Sequence, residues 1–146
     1  MVRRFLFFAY GSNLNKAQMK ERCPKAKALQ KAVLDDHALE FVSKTKGRGV
    51  ATVIPQKGES VPGGVWSITE KCLKSLDMYE GYPNVYNREE RKVRLESGET
   101  VSAIIYFMTP GFEQSFPLSR YVELIVQGYK DFGFSDEDLL KLFNKL

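Results

Sequence analysis

Histidine occurs once in the 146 residues, as His37, and cysteine twice, as Cys23 and Cys72. A single histidine cannot belong to a multi-histidine metal site, and two distant cysteines do not rescue one, so no metal is expected. The cysteines form neither a CxxC pair nor a framework. Free thiols in a cytoplasmic protein are therefore the expectation. No apolar stretch is long enough to span a bilayer, and Met1-Val2-Arg3-Arg4-Phe5 leads into too short an apolar run for a secretory signal. No membrane association is expected. The chain also lacks a G-x-S-x-G elbow, a Rossmann glycine pattern and a phosphate loop. Hydride transfer, nucleotide hydrolysis and metal hydrolysis all lack their parts, and no cofactor is expected. Charge of one sign is scarce too: 22 basic residues stand against 18 acidic ones, for a net charge of +4. The cations are scattered among acids, as in Arg88-Glu89-Glu90-Arg91-Lys92, rather than clustered with stacking aromatics, so nucleic acid is not an expected partner.

What is present describes one ordinary globular domain over residues 1–146. The hydrophobic fraction is 43% and the charged fraction 27%. Phe5-Leu6-Phe7-Phe8-Ala9 is a short aromatic run suited to a buried strand, and it stops at the turn Tyr10-Gly11-Ser12-Asn13. Asn15 is placed to cap a helix over Lys16–Arg22, with Gln18 three residues on and Pro24 closing it. A strand, a glycine turn and a helix start leave several main-chain N–H groups pointing one way, which attracts an anion or a forming oxyanion. Taken alone, such a turn is more often only structural.

Further on, strands are expected at 29–34 and 37–43 with a turn at Asp35-Asp36, then at 50–54 and 63–68 with a polar loop at 55–62 between them. Thr69 caps a helix with Cys72, Leu73, Leu76 and Tyr79 as its apolar stripe. Gly81 is its C-cap and Glu80 its last residue. The helix dipole makes that end unfavourable for an acid, so Glu80 is either solvated, the commoner case, or held there for a purpose. Strands at 85–95 and 100–108 turn at Ser97-Gly98. Ser119 caps a helix with the stripe Tyr121, Leu124, Ile125, Gly128, Tyr129 and Phe132. Ser135 and Asp138 form a capping box for a final helix with Leu139, Leu142, Phe143 and Leu146 inside. Trp66 and His37 read as core and strand-end residues. Short strands and helices without regular alternation give an α+β fold.

Tyr10-Gly11-Ser12-Asn13-Leu14 after an aromatic strand resembles the N-terminal signature of the γ-glutamylcyclotransferase family. In order along the chain follow Gly64-Val65-Trp66, Leu76-Asp77-x-x-Glu80-Gly81 with Tyr86, Tyr106-x-Met108-Thr109, and Pro117-x-Ser119-x-Tyr121. The resemblance implies a small mixed β-barrel with surrounding helices and a site at one mouth. It implies a γ-glutamyl small-molecule substrate lying along Phe7, Phe8, Ala9, Tyr10, Gly11, Ser12 and Asn13. Tyr121 reaches in by its hydroxyl, Tyr86 and Tyr106 are either walls or core tyrosines, and Glu80 is the general acid/base. It also carries a homodimer as an expectation.

That chemistry needs few parts. The substrate's own α-amine attacks its side-chain carbonyl, closes 5-oxoproline and expels an amine or amino acid. Orientation alone supplies effective molarities of about 10⁵–10⁸ M in well-aligned intramolecular pairs. A carboxylate with its pKa raised by burial can move the proton, and main-chain amides can hold the oxyanion. Two other readings fit the same residues. One is a γ-glutamylamine cyclotransferase acting on crosslinks or in biosynthetic deprotection; the other is a binding module without turnover.

Overall fold

The computed structural model describes residues 2–144. In chain order the elements are β1 (Arg4–Ala9), a 3-10 turn (Ser12–Leu14), α1 (Lys16–Arg22), β2 (Lys27–Ser43), β3 (Val50–Thr69) and α2 (Glu70–Glu80). Then come β4 (Tyr86–Leu95), β5 (Thr100–Met108), β6 (Glu113–Gln114), α3 (Ser119–Asp131) and α4 (Asp136–Phe143). Hydrogen-bonded neighbours run β3-β1-β5-β4-β2, and β2 pairs again with β3, so five strands close on themselves. All these pairings are antiparallel except β1 with β5, which meet in parallel at Phe7 and Ile104. The α+β barrel expected from the resemblance is therefore present.

Closure leaves an interior filled by alternate residues of each strand. Phe8 and Val65, opposite each other on β1 and β3, are fully buried, as are Val61 and Ile105. The helices cover what remains. α3 packs Ile125 and Tyr129 inward, and the Tyr129 hydroxyl lies 2.9 Å from the Tyr10 carbonyl and 2.7 Å from that of Pro62. That contact ties α3 to the end of β1, where the polar turn begins.

Local capping matches the sequence in three places. The Asn15 side chain accepts from the Gln18 amide, Thr69 accepts from the Cys72 amide, and Ser135 with Asp138 forms the full capping box. Gly81 ends α2 at φ 64°, a left-handed conformation that glycine enters without a Cβ penalty.

Other expectations are corrected. Asp35-Asp36 does not end a strand: β2 runs through it with a bulge, Asp36 sits at φ 59°, and its carboxylate accepts from the Gly58 amide at 3.1 Å. Aspartate tolerates that conformation better than most residues. The expected loop at 55–62 is strand, with Val61 opposite Leu34 and Pro55 opposite His37. Most of it is exposed, so no alternation of apolar residues marked it. Cys23 and Cys72 are not free thiols but a disulfide, because the end of α1 packs against the start of α2. Ser119 is the first residue of α3 rather than its cap; Leu118 holds the N-cap position with no side-chain bond. Tyr79 and Leu124 lie on exposed faces of their helices. Leu146, expected on the inner face of the last helix, lies outside the described residues.

Candidate active site

The open end of the barrel beside α2 holds a narrow, half-open cavity. It is lined by the continuous run Phe7–Asn13, by Ala51, and by Glu80, Tyr86, Tyr106 and Tyr121. Every site residue expected from the sequence is in that lining.

The turn is built as its residues require. The amides of Leu14 and Asn15 fold back onto the carbonyls of Gly11 and Ser12, at 3.1 and 3.0 Å. The amides of Gly11, Ser12 and Asn13 make no hydrogen bond among the described residues. Three consecutive main-chain donors are thus left for whatever enters the cavity, the arrangement that suits an oxyanion or a carboxylate.

Glu80 faces this turn from the last position of α2. Its Oε1 accepts from the Asn13 side-chain amide at 3.1 Å, and Asn13 Oδ1 accepts in turn from the Arg22 guanidinium at 2.8 Å. Burial pushes the Glu80 carboxyl above the ordinary range, while the Asn13 bond and the Arg22 charge pull the other way. Asp77, one turn earlier on the same face of α2, is in a different position. Arg88 holds it at 2.8 and 3.2 Å, and the Tyr106 hydroxyl donates to it at 2.7 Å. Of the two acids, Glu80 is the one that lines the cavity and has no direct cationic partner among the described residues.

The raised pKa has a consequence for stability. A carboxyl that holds its proton more tightly when folded adds stability below its unfolded pKa. That stability is lost as pH rises through the folded value. At pH 7, above its unfolded pKa, that contribution is diminished and burying the Glu80 carboxyl costs stability, so Glu80→Gln is expected to melt higher than the parent there. The advantage shrinks as pH falls through the carboxylate range, a trend readable by thermal unfolding at several pH values.

The four tyrosines at the cavity differ in what their hydroxyls do. Tyr10 donates to the Tyr106 carbonyl and Tyr86 to the Ala51 carbonyl, each at 2.6 Å, and Tyr106 donates to Asp77. These three are walls with their protons engaged. Tyr121 instead accepts from the Ala51 amide at 3.0 Å, so its own proton has no acceptor among the described residues. Burial, opposed by the Ala51 bond and reinforced by Glu80, pushes the Tyr121 phenol up to about 12, and it stays a neutral donor.

Residues 7–123 match the family described as gamma-glutamyl cyclotransferase, AIG2-like. The chain belongs to that family. It is a γ-glutamylcyclotransferase-like enzyme, as the sequence resemblance implied. It is 35% identical over 145 residues to the gamma-glutamylcyclotransferase of Homo sapiens, covering 94% of this chain and 77% of that protein. The Mus musculus gamma-glutamylcyclotransferase is 34% identical over the same shares. A solved gamma-glutamyl cyclotransferase superposes with a TM-score of 0.88 at 34% identity, covering 97% of this chain and 87% of that one.

The sequence missed two features of this γ-glutamylcyclotransferase-family site. Ala51 acts through its main chain, its amide donating to the Tyr121 hydroxyl and its carbonyl accepting from that of Tyr86, and the residue type signals no such role. Arg22 ends a short helix, where a cation is unremarkable. Asp77 and Glu80, three apart on α2, share a helix face but take separate partners, Arg88 with Tyr106 and Asn13.

Proposed function

We propose that this γ-glutamylcyclotransferase-family chain releases 5-oxoproline from a γ-glutamyl amino acid. What supports this reading is that Glu80, a largely buried carboxylate, shares one cavity lining with Gly11, Ser12 and Asn13, whose main-chain amides have no hydrogen-bond partner among the described residues. The α-amine of the substrate attacks the γ-carbonyl carbon. Glu80 takes the proton released by that amine and delivers it to the leaving nitrogen as the old C–N bond breaks. The products are 5-oxoproline and the free amino acid, with Glu80 restored to its starting state.

The amides of Gly11, Ser12 and Asn13 and the hydroxyl of Tyr121 offer donors for the two anionic groups present, the forming oxyanion and the α-carboxylate. Phe7, Phe8, Tyr10, Tyr86 and Tyr106, with Ala9 between them on β1, shape a largely aromatic wall that keeps the substrate curled. No step uses a metal, nucleotide or covalent enzyme intermediate. The reading carries a homodimer only through the family resemblance, and the cytoplasmic location expected from free thiols loses that support with the Cys23–Cys72 disulfide.

The test is incubation with γ-glutamyl-alanine and chromatographic detection of 5-oxoproline. Formation of 5-oxoproline with stoichiometric alanine is expected. A panel of γ-glutamyl amino acids that binds without turnover would instead favour a binding module, and turnover confined to γ-glutamylamines would move the substrate class.

A further inference from the structure

Arg22 does not touch the cavity, yet it is held in place from three sides. Its guanidinium lies 4.5 Å over the Tyr79 ring of α2. The next residue, Cys23, is bonded to Cys72 of the same helix, with Cα atoms 5.1 Å apart. Its Nη1 donates to Asn13 Oδ1 at 2.8 Å. Asn13 is itself buried, at 8% exposure, and its Nδ2 faces Glu80.

An asparagine amide has two ends of opposite character and similar shape, and its orientation follows from its neighbours. Arginine has only donors, so the end of Asn13 that meets it must be the oxygen. The NH₂ end is then obliged to face Glu80. A carboxylate accepts from that NH₂ group, whereas a protonated carboxyl would equally suit the amide oxygen. With Arg22 in place the NH₂ end always faces Glu80, and a carboxylate accepts from it more strongly than the carbonyl oxygen of a protonated carboxyl does, so the arrangement favours the basic form of Glu80.

We propose that Arg22 is a positioning residue: by fixing the orientation of the Asn13 side-chain amide it presets Glu80 as the base that opens the reaction. This rests on the role given to Glu80 above and goes beyond it. The other groups facing Glu80 are the neutral phenols Tyr10, Tyr86, Tyr106 and Tyr121; Asp77, on its own helix, is already paired with Arg88. Arg22 is therefore the one cation acting on Glu80 among these groups.

The experiment compares Arg22→Met, Arg22→Lys and Asn13→Ala with the parent. Steady-state rates with γ-glutamyl-alanine are taken across pH, alongside an NMR titration of the Glu80 carboxyl in protein carrying ¹³C-labelled glutamate. Arg22→Met is expected to lower kcat about tenfold or more with KM within about twofold, and to move the acidic limb of kcat/KM and the Glu80 titration to higher pH. Arg22→Lys, which keeps a donor and a charge, should recover much of both. In an Asn13→Ala background, Arg22→Met should add at most about twofold, because coupled residues are not additive. An unmoved Glu80 titration in Arg22→Met overturns the proposal, as do fully additive losses. The NMR readout needs no turnover, so an inactive parent protein would count against the proposed function while this inference is still decided.

Discussion

Replacing Glu80 by Gln is expected to reduce 5-oxoproline release from γ-glutamyl-alanine by about 10²–10⁴-fold, the usual range for losing a positioned general acid/base. The loss should fall on kcat, since a neutral amide of the same shape still fills the corner beside Asn13. The fold should persist, because the Oε1 contact to Asn13 at 3.1 Å is the one side-chain hydrogen bond Glu80 makes among the described residues. Gln can accept there too. Circular dichroism and the melting experiment described for this variant separate a chemical loss from an unfolded protein. Activity within a few-fold of the parent would remove Glu80 from the mechanism, and Asp77 would not inherit the role, since Arg88 and Tyr106 already occupy both of its oxygens.

The second large effect is expected at a residue with no side chain. Gly128 of α3 packs directly on the turn: a Cβ placed there would sit 2.6 Å from the Leu14 Cβ and 2.7 Å from the Asn15 main-chain nitrogen. Both distances are shorter than real Cβ contacts, and one partner is backbone that cannot rotate away. Gly128→Ala must therefore push α3 and the turn apart. Overpacking of this kind costs about 1–3 kcal/mol, partly offset by the better helix propensity of alanine, about 1 kcal/mol. Because the displaced segment begins where Asn13 ends, the amides of Gly11, Ser12 and Asn13 move with it. A drop in kcat/KM of about tenfold or more should accompany the lower unfolding midpoint, as small misplacements at a site are costly. Unchanged stability together with unchanged kcat/KM would mean that α3 does not set the turn's position.

How far these features could be read from the chain follows from how local their causes are. The frame of α2 was legible end to end, since Thr69 caps, Gly81 turns left-handed and Glu80 falls last within a single stretch of sequence. So were the caps at Asn15 and Ser135, each completed within three residues. The strand at 55–62 was hidden because its partner is β2, and an exposed strand carries no buried face to imprint alternation. The Cys23–Cys72 pair was hidden because it depends on α1 lying against α2, a contact across 49 residues. Arg22 was hidden for the same reason: its partner Asn13 is near in sequence, but the purpose of that bond is visible only once Glu80, 67 residues beyond Asn13, arrives on the other side. The place of Glu80 at the end of α2 was legible; the link from Arg22 through Asn13 to it was not.

A crystal structure of the Glu80→Gln variant soaked with γ-glutamyl-alanine tests the arrangement most directly. The account predicts the glutamyl group curled in the cavity, its α-amine within hydrogen-bonding distance of the side chain at position 80 and an anionic or carbonyl oxygen on the amides of Gly11, Ser12 or Asn13. A ligand bound elsewhere, or bound there with its α-amine turned away from position 80, would contradict it.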